Sequence, residues 1–380
     1  MRDDYDVIVI GAGPAGSAAA AAASARGLTV LVMEEHAEIG QPLACAEGLS
    51  RSTIKGYLEI RPEWISQGLS GSIIRGPDGR EFTMEYPEVG WILDRKVFDP
   101  ALAKIAESKG ATIKKSTKAI GIEKNEVIVK ENGKGMSYFF KYLIGADGVV
   151  SKVGRWMGLD TRMKPSEIEI CAEYRLKNIN VKSGYAYLIF GNEYAPGGYA
   201  WIFPKSMNSA NVGLGISPLR TKEKPKTLLD RWVEKEFPDA KIEERIFGAV
   251  PAKTLKTFSG NNFCLVGDAA RFTDPLSGGG IANGIKSGAI AGRNAADIIR
   301  GRKNNLQAEM RAAVLDEVVW HKRVQDVYSK LDDRDLQKIF DIGERIFRGK
   351  TVTDINTQHL VRQILLASPH LLGLGFRLLL

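Results

Sequence analysis

Asp6-Val7-Ile8-Val9-Ile10-Gly11-Ala12-Gly13-Pro14-Ala15-Gly16, near the start of the chain, joins a short β-branched apolar run to the pattern G-x-G-x-x-G. The run reads as a buried strand. Each glycine has a separate duty: Gly11 permits the tight turn, Gly13 lets the backbone approach a pyrophosphate, and Gly16 lets helix and strand pack closely. The alanine-rich stretch Ser17 to Ala25 is strongly helix-favouring, and its N-terminus offers unpaired N–H groups and the positive end of a dipole to an anion. Gly27 ends that helix and Thr29 to Met33 forms a second strand, so a β-α-β unit closes within the first 34 residues. Glu34 follows at the strand end, where an acidic side chain accepts the ribose hydroxyls of an adenine dinucleotide.

The chain has 380 residues, enough for two moderate domains, with 44% apolar and 26% charged residues, as in ordinary globular proteins. Its cysteines, Cys45, Cys171 and Cys264, form no C-x-x-C pair, which excludes a four-cysteine cluster and points to a reducing compartment. No signal peptide is expected, nor any run of roughly 18 apolar residues that would span a bilayer. The net charge of +8 suits a nucleic acid, an anionic membrane or a phosphorylated substrate. Basic and acidic residues are interspersed, so a solvated surface explains the charge equally well, and no nucleic-acid partner is assigned.

Further along, Ser70 to Tyr86 reads as a hairpin turning at Gly76-Pro77-Asp78-Gly79. Phe98 to Lys109 reads as an amphipathic helix, and Thr112 to Lys115 as a strand. A meander follows near Gly121 to Tyr138, then a strong strand, Tyr142 to Ala146. Ile168 to Ile216 reads as antiparallel strands, Asn262 to Val266 as one more strand, and the chain from Gly280 onward as mostly helical. The expected architecture is α/β, with a discontinuous Rossmann-type nucleotide-binding domain (1–68, 95–156, 255–305). Inserted in it is an antiparallel-sheet substrate domain (69–94, 157–254), and residues 306–380 form a C-terminal helical region.

Two more motifs favour FAD over a nicotinamide dinucleotide. Gly145-Ala146-Asp147-Gly148-x-x-Ser151-x-x-Gly154-Arg155 follows one strand, and Gly267-Asp268-Ala269-Ala270 follows another, ahead of Asp274-Pro275 and Gly278-Gly279-Gly280-Ile281. An aspartate at a strand end can bind ribityl hydroxyls, which nicotinamide dinucleotides lack. The glycine turn and helix start place N–H groups near the electron-rich edge of an isoalloxazine.

These motifs, in this order, resemble the glutathione-reductase-type FAD superfamily. The narrower resemblance is to the geranylgeranyl reductase family, particularly its archaeal digeranylgeranylglycerophospholipid reductases. It rests on Pro42-Leu43-Ala44-Cys45-Ala46-Glu47-Gly48, Leu93-Asp94-Arg95-x-x-Phe98-Asp99, Tyr199-Ala200-Trp201-Ile202-Phe203-Pro204-Lys205 with Asn211-Val212-Gly213-Leu214-Gly215, and Gly267 through Asn283. Ala44 and Ala46 stand where family members often carry a basic residue and glycine. The resemblance implies FAD contacts from Ala15, Glu34, Cys45, Ala46, Gly48, Arg95, Ala119, Asp268, Gly280 and Ile281, beside Gly11, Gly13, Gly16 and Asp147 from the motifs. It also implies a part for Cys45 in turnover.

Tyr199, Trp201 and Phe203 alternate on a strand and share a face; by resemblance this face roofs the substrate pocket. The four histidines show no metal-ligand spacing, and neither a metal nor a role is assigned to them. Gln358 to Leu380 is leucine-rich and reads as a packed helix, an oligomer contact or an interfacial anchor.

The activity implied is reduction of isolated C=C bonds in geranylgeranyl chains by hydride from flavin N5 plus a proton. The lipid is expected to be a digeranylgeranyl glycerophospholipid. Rival readings are an FAD monooxygenase or halogenase, and an electron-transfer flavoprotein–quinone oxidoreductase, which the few cysteines disfavour. No second G-x-G-x-x-G unit is present, so the electron donor is external: NAD(P)H, reduced deazaflavin or ferredoxin. The expected location is cytoplasmic, peripheral at the inner face of the membrane.

Overall fold

The computed structural model describes residues 4–131, 134–352 and 361. Strand β1 (Asp4–Ile10) passes through the glycine turn into α1 (Pro14–Ser24), then returns as β2 (Val30–Met33), parallel to β1. Next come β3 (Gly48–Ser50), the single turn α2 (Arg51–Ile54), and the hairpin of β4 (Ile65–Arg75) and β5 (Glu81–Leu93). The side chain of Asp94 caps α3 (Arg95–Ser108), accepting from the Lys96 N–H at 3.1 Å. Strands β6 (Thr112–Lys114), β7 (Thr117–Glu123), β8 (Glu126–Glu131) and β9 (Lys134–Gly145) follow, then the short α4 (Val153–Trp156).

The middle of the chain supplies β10 (Ile168–Lys177), β11 (Tyr185–Ile189), β12 (Tyr199–Ser206), β13 (Ser209–Ile216), α5 (Pro225–Glu236) and β14 (Lys241–Pro251). After β15 (Phe263–Leu265) the chain is helical: α6 (Ile281–Ile299), α7 (Leu306–Met310), a π-turn at Arg311–Leu315, α8 (Asp316–Tyr328) and α9 (Asp333–Phe347). The leucine-rich segment Gln358 to Leu380 lies, save Val361, outside the described residues.

Two sheets organise these elements. The first runs β6-β2-β1-β9-β8-β7, with β15 also paired to β9. Its β6, β2, β1, β9 and β15 are parallel, and β7-β8-β9 form the antiparallel meander. The last strand of the meander and the strong strand after it, separate by pattern, are one strand here: β9 pairs with β8 along its first half and β15 at its end. Helices α1 and α6 pack closely over this sheet because α6 is notched. A Cβ on Gly288 would sit 2.1 Å from the Ala15 carbonyl oxygen, and one on Gly292 2.2 Å from that of Ala19.

The second sheet runs β14-β10-β13-β12-β11-β4-β5-β3. It is antiparallel except where β11 lies parallel to β4. Strand β3 comes from the N-terminal nucleotide-binding segment yet pairs with β5, Leu49 opposite Trp91. The central strands divide their two faces by alternation. Ala172, Tyr174, Leu176, Ala200, Ile202, Val212 and Leu214 form one core with Leu228, Leu229 and Trp232 of α5. The other face carries Glu169, Cys171, Glu173, Arg175, Tyr199, Trp201, Phe203 and Asn211. These side chains therefore face away from α5, whereas Tyr174 and Arg75 of the same sheet bond Asp230 and Glu236 of that helix.

Candidate active site

The turn after β1 is built for close approach. Gly11 has φ 102°, and a Cβ there would lie 2.3 Å from the Ala146 carbonyl oxygen. A Cβ on Gly16 would lie 1.9 Å from the Gly11 oxygen, whereas one on Gly13 meets nothing within 4 Å. Gly13 is thus open at the start of α1, as a pyrophosphate site requires. Ala15 turns its methyl toward Gly267 and Gly284, so what it can offer a ligand is its N–H in the first helical turn. Glu34 accepts from the Ala12 N–H at 2.9 Å and from the His36 N–H at 3.0 Å, and its carboxylate also meets the His36 ring. Ala119 lies on β7 in a cleft of about 440 Å³ with Lys118, Ile120, Lys152, Arg155 and Trp156. Asp147 caps the next turn, accepting from Lys152 and Val153 N–H at 2.7 and 3.0 Å, while its other oxygen is buried without a partner.

The loops around Cys45 and Gly280 meet through Arg95. The Arg95 guanidinium grips Asp99 at 3.0 and 2.5 Å and lies near both Cys45 and Asp268. Burial pushes the Cys45 thiol up, partly opposed by the Arg95 charge, so the group is a thiol and not a thiolate. Asp268 is also raised by burial, against a bond from the Thr273 hydroxyl at 2.5 Å and the Arg95 charge. A Cβ on Gly280 would stand 3.0 Å from that Asp268 carboxylate; Ile281 begins α6 and is itself buried.

Glu47 was not singled out from sequence, yet it organises the Cys45 loop. It is fully buried, holds φ 71°, and receives the Arg95 N–H at 2.9 Å, Asn211 Nδ2 at 2.8 Å, Lys205 Nζ at 2.5 Å and Arg175 Nη2 at 3.0 Å. Burial pushes its carboxyl up, but the Lys205 charge and these donors outweigh that and hold it below the usual range. It stands within the motif that carries the family resemblance, but nothing local sets it apart. Its partners come from α3, β10, β12 and β13.

The aromatic row spans both loops. The Tyr199 hydroxyl donates to the Ser277 carbonyl at 2.5 Å, Trp201 Nε1 donates to Glu173 Oε2 at 2.8 Å, and a Cβ on Gly48 would touch the Phe203 ring at 3.2 Å. Helix α8 closes one side: Gln325 donates to Glu169 at 2.8 Å and the Tyr328 hydroxyl to the Gly198 carbonyl at 2.5 Å. Burial raises Glu169 to about 7, against the Gln325 bond and the Lys322 charge. His321, given no role from sequence, pairs with Asp274. Asp274 is 47 residues away in sequence, a separation that no local pattern reports. Among the described residues no group of histidines, cysteines and carboxylates is arranged to hold a metal, and no helix is long and apolar enough to cross a membrane.

Comparison with known proteins names the architecture. Residues 167–250 match the geranylgeranyl reductase catalytic domain, and residues 6–146 match FAD dependent oxidoreductases. The digeranylgeranylglycerophospholipid reductase of Methanosarcina acetivorans is 43% identical over 90% of this chain and 89% of its own. That of Methanocella arvoryzae is 38% identical over 98% of both. The chain belongs to the geranylgeranyl reductase family. Within that family, a geranylgeranyl bacteriochlorophyll reductase-like protein of Thermoplasma acidophilum superposes with TM-score 0.91 at 29% identity, covering all of both chains. A halogenase in complex with phloroglucinol and FAD shares the fold alone (TM-score 0.68, 18% identity, 96% of this chain and 84% of that one).

The cofactor is FAD. The residues present fit it: Gly13 is open at the helix N-terminus, one Asp147 oxygen is buried without a partner, and Gly278 and Gly280 bare the backbone ahead of α6.

Proposed function

We propose that this protein is an FAD-dependent reductase that saturates C=C bonds of geranylgeranyl chains, with a digeranylgeranyl glycerophospholipid as substrate. What carries this, beside the family, is the aromatic row on β12, anchored at one end to the Ser277–Gly280 loop and at the other to the Cys45–Gly48 loop. A run of adjacent, mutually tilted rings between two cofactor loops suits an isoprenoid chain better than a polar ligand. In this assignment residues 1–68, 95–156 and 255–305 hold FAD, residues 69–94 and 157–254 hold the lipid, and the C-terminal region from 306 supplies the helices α7 to α9. Glu34 and the Gly11–Gly16 turn bind the dinucleotide; Arg95, Asp147, Asp268, Gly280 and Ile281 bind or border the flavin half.

An isolated alkene has no carbonyl to polarise it, so positioning and water exclusion carry much of the barrier. FAD, when bound and reduced, supplies the hydride from N5. Tyr199, Trp201 and Phe203 hold the chain against it, and successive bonds are presented as the chain slides along the row. Cys45, protonated at neutral pH beside Arg95, controls the approach to the flavin; a Cys45→Ser enzyme with an unchanged rate removes it from turnover. Electrons come from an external donor (NAD(P)H, a reduced deazaflavin or a ferredoxin), identified by which one bleaches the flavin. The protein meets its lipid at the inner face of the membrane as a peripheral protein, which co-sedimentation with anionic vesicles tests.

The decisive experiment is anaerobic: reduce the flavin with dithionite, add digeranylgeranylglyceryl phosphate, and follow the lipid by mass spectrometry. Products heavier by two hydrogens per bond establish the activity. A flavin that stays reduced beside intact lipid refutes it, and oxygen uptake coupled to product would then reveal a monooxygenase.

A further inference from the structure

A saturated bond needs a proton as well as a hydride, and the polar groups on the site face of the second sheet differ in whether they have one free to give. The Tyr199 hydroxyl is spent on the Ser277 carbonyl and the Tyr328 hydroxyl on that of Gly198. Glu169 accepts from Gln325 and has no oxygen buried without a partner, and Glu47 is held ionised by Lys205 and Arg175. Glu173 stands apart. It is 2% exposed, its Oε2 accepts from the Trp201 indole at 2.8 Å, and its Oε1 is buried with no partner.

The register explains how the indole reaches it. Glu173 on β10 lies opposite Gly213 on β13, which lies opposite Trp201 on β12. Trp201 can lie across β13 only because position 213 has no side chain: a Cβ there would stand 2.6 Å from its Cζ2. Cys171, Gly215 and Tyr199 repeat the arrangement one step along. The charged groups facing Glu173 are Arg175 on its own strand, Lys205 on β12 and Glu47 from the Cys45 loop, with the Cys171 thiol beside it. Both cations are bonded to Glu47, and neither forms an ion pair with Glu173.

Resting on the reductase reading above, we propose that Glu173 is the acid that protonates the alkene. The Glu173 O–H bond breaks and a C–H bond forms at one alkene carbon as the π pair is consumed. The other carbon takes hydride from reduced FAD, which leaves oxidised. Alkene, reduced flavin and one proton thus give the saturated bond and FAD. The carboxylate left behind is received by the Trp201 N–H, with Arg175 and Lys205 nearby, and regains its proton from water between turnovers. Burial, against the Trp201 bond, pushes this carboxyl up to about 8, so the acid is loaded at neutral pH.

The test is Glu173→Gln, which keeps an oxygen for the indole and removes the acid. The variant should bind FAD and be reduced by dithionite as the parent is, while lipid-driven flavin reoxidation falls by about 10²–10⁴-fold, the usual worth of a general acid. The parent's decline in that rate above pH 8 should vanish with it. Independently of turnover, infrared spectra of the apoprotein should show a protonated-carboxyl band at pH 7 that titrates near pH 8 and is absent from the variant. A Glu173→Gln enzyme as fast as the parent, or a parent lacking that band, overturns the proposal whether or not the variant folds well. A parent that leaves the lipid untouched defeats the reductase reading instead, and this proposal with it.

Discussion

Glu47→Gln should destabilise the protein by about 3 kcal/mol at pH 7 and loosen its hold on FAD. The carboxylate is fully buried and receives one backbone N–H, one amide and two cations. Glutamine keeps the shape but removes the charge, and it turns an NH₂ toward either a cation or another donor. Removing one partner from a buried ion pair costs roughly 3–5 kcal/mol. The lower end applies here because the cations keep second acceptors: Arg175 meets Glu244 at 3.1 Å and Lys205 donates to the Leu93 carbonyl at 2.7 Å. The sign with pH follows from the carboxyl's being held below its ordinary 4.5. Its contribution is complete above about pH 4.5 and is lost as pH falls through the lowered folded value. Urea unfolding followed by circular dichroism at pH 7 and pH 4, with flavin fluorescence for cofactor release, measures both effects. A gap under about 0.5 kcal/mol at pH 7, or one that does not narrow in acid, would show that the four contacts contribute no net stability.

Gly16→Ala places a methyl 1.9 Å from the Gly11 carbonyl oxygen, so FAD affinity should fall at least about ten-fold in a fluorescence titration. Gly213→Ala drives a methyl into the Trp201 ring and should cut lipid turnover by about 10²-fold with FAD still bound; steady-state rates of the holoenzyme report it. His321→Ala should lower stability by about 1–2 kcal/mol at pH 6 and by less at pH 9. Burial lowers the histidine's pKa, but the Asp274 bond and charge raise it above 6.5 on balance. That contribution is therefore complete below pH 6.5 and lost as pH rises through the folded value, as unfolding midpoints across this range will show.

What the sequence disclosed was local. The Gly11–Gly16 turn, the helix from Pro14 and Glu34 all lie within the first 34 residues, and each has a pattern that only a few structures satisfy. The alternation of Tyr199, Trp201 and Phe203 likewise reveals a shared face. It does not reveal what lies opposite. That Trp201 meets Glu173 depends on the register of the β12–β13 hairpin and on that of β13 with β10, a strand tens of residues earlier. Glu47 draws partners from Arg95 to Asn211, and His321 finds Asp274 only once α8 folds back over the site. The pairing of β3 with β5 was hidden for the same reason: three residues carry too little periodicity to declare a sheet.

The two faces of the second sheet predict opposite outcomes for neighbouring residues. Leu214 points into the core shared with α5 and is fully buried; Gly213 and Gly215 on either side of it face the site. Leu214→Ala leaves a cavity beside Val212 and Leu229 and should cost about 2–5 kcal/mol. It should leave lipid turnover per FAD-bound molecule near that of the parent, because the backbone that positions Trp201 is held by ladder bonds on both sides. Substitution one residue earlier should cost stability too, its methyl lying 2.6 Å from the Trp201 ring and 2.9 Å from the Ala172 carbonyl oxygen, but should cut the rate per folded molecule far more. Measuring both quantities for both variants separates the roles. If Leu214→Ala loses turnover in proportion to Gly213→Ala at temperatures where it remains folded, the faces are not independent. The site would then depend on core packing as much as on the row of side chains above it.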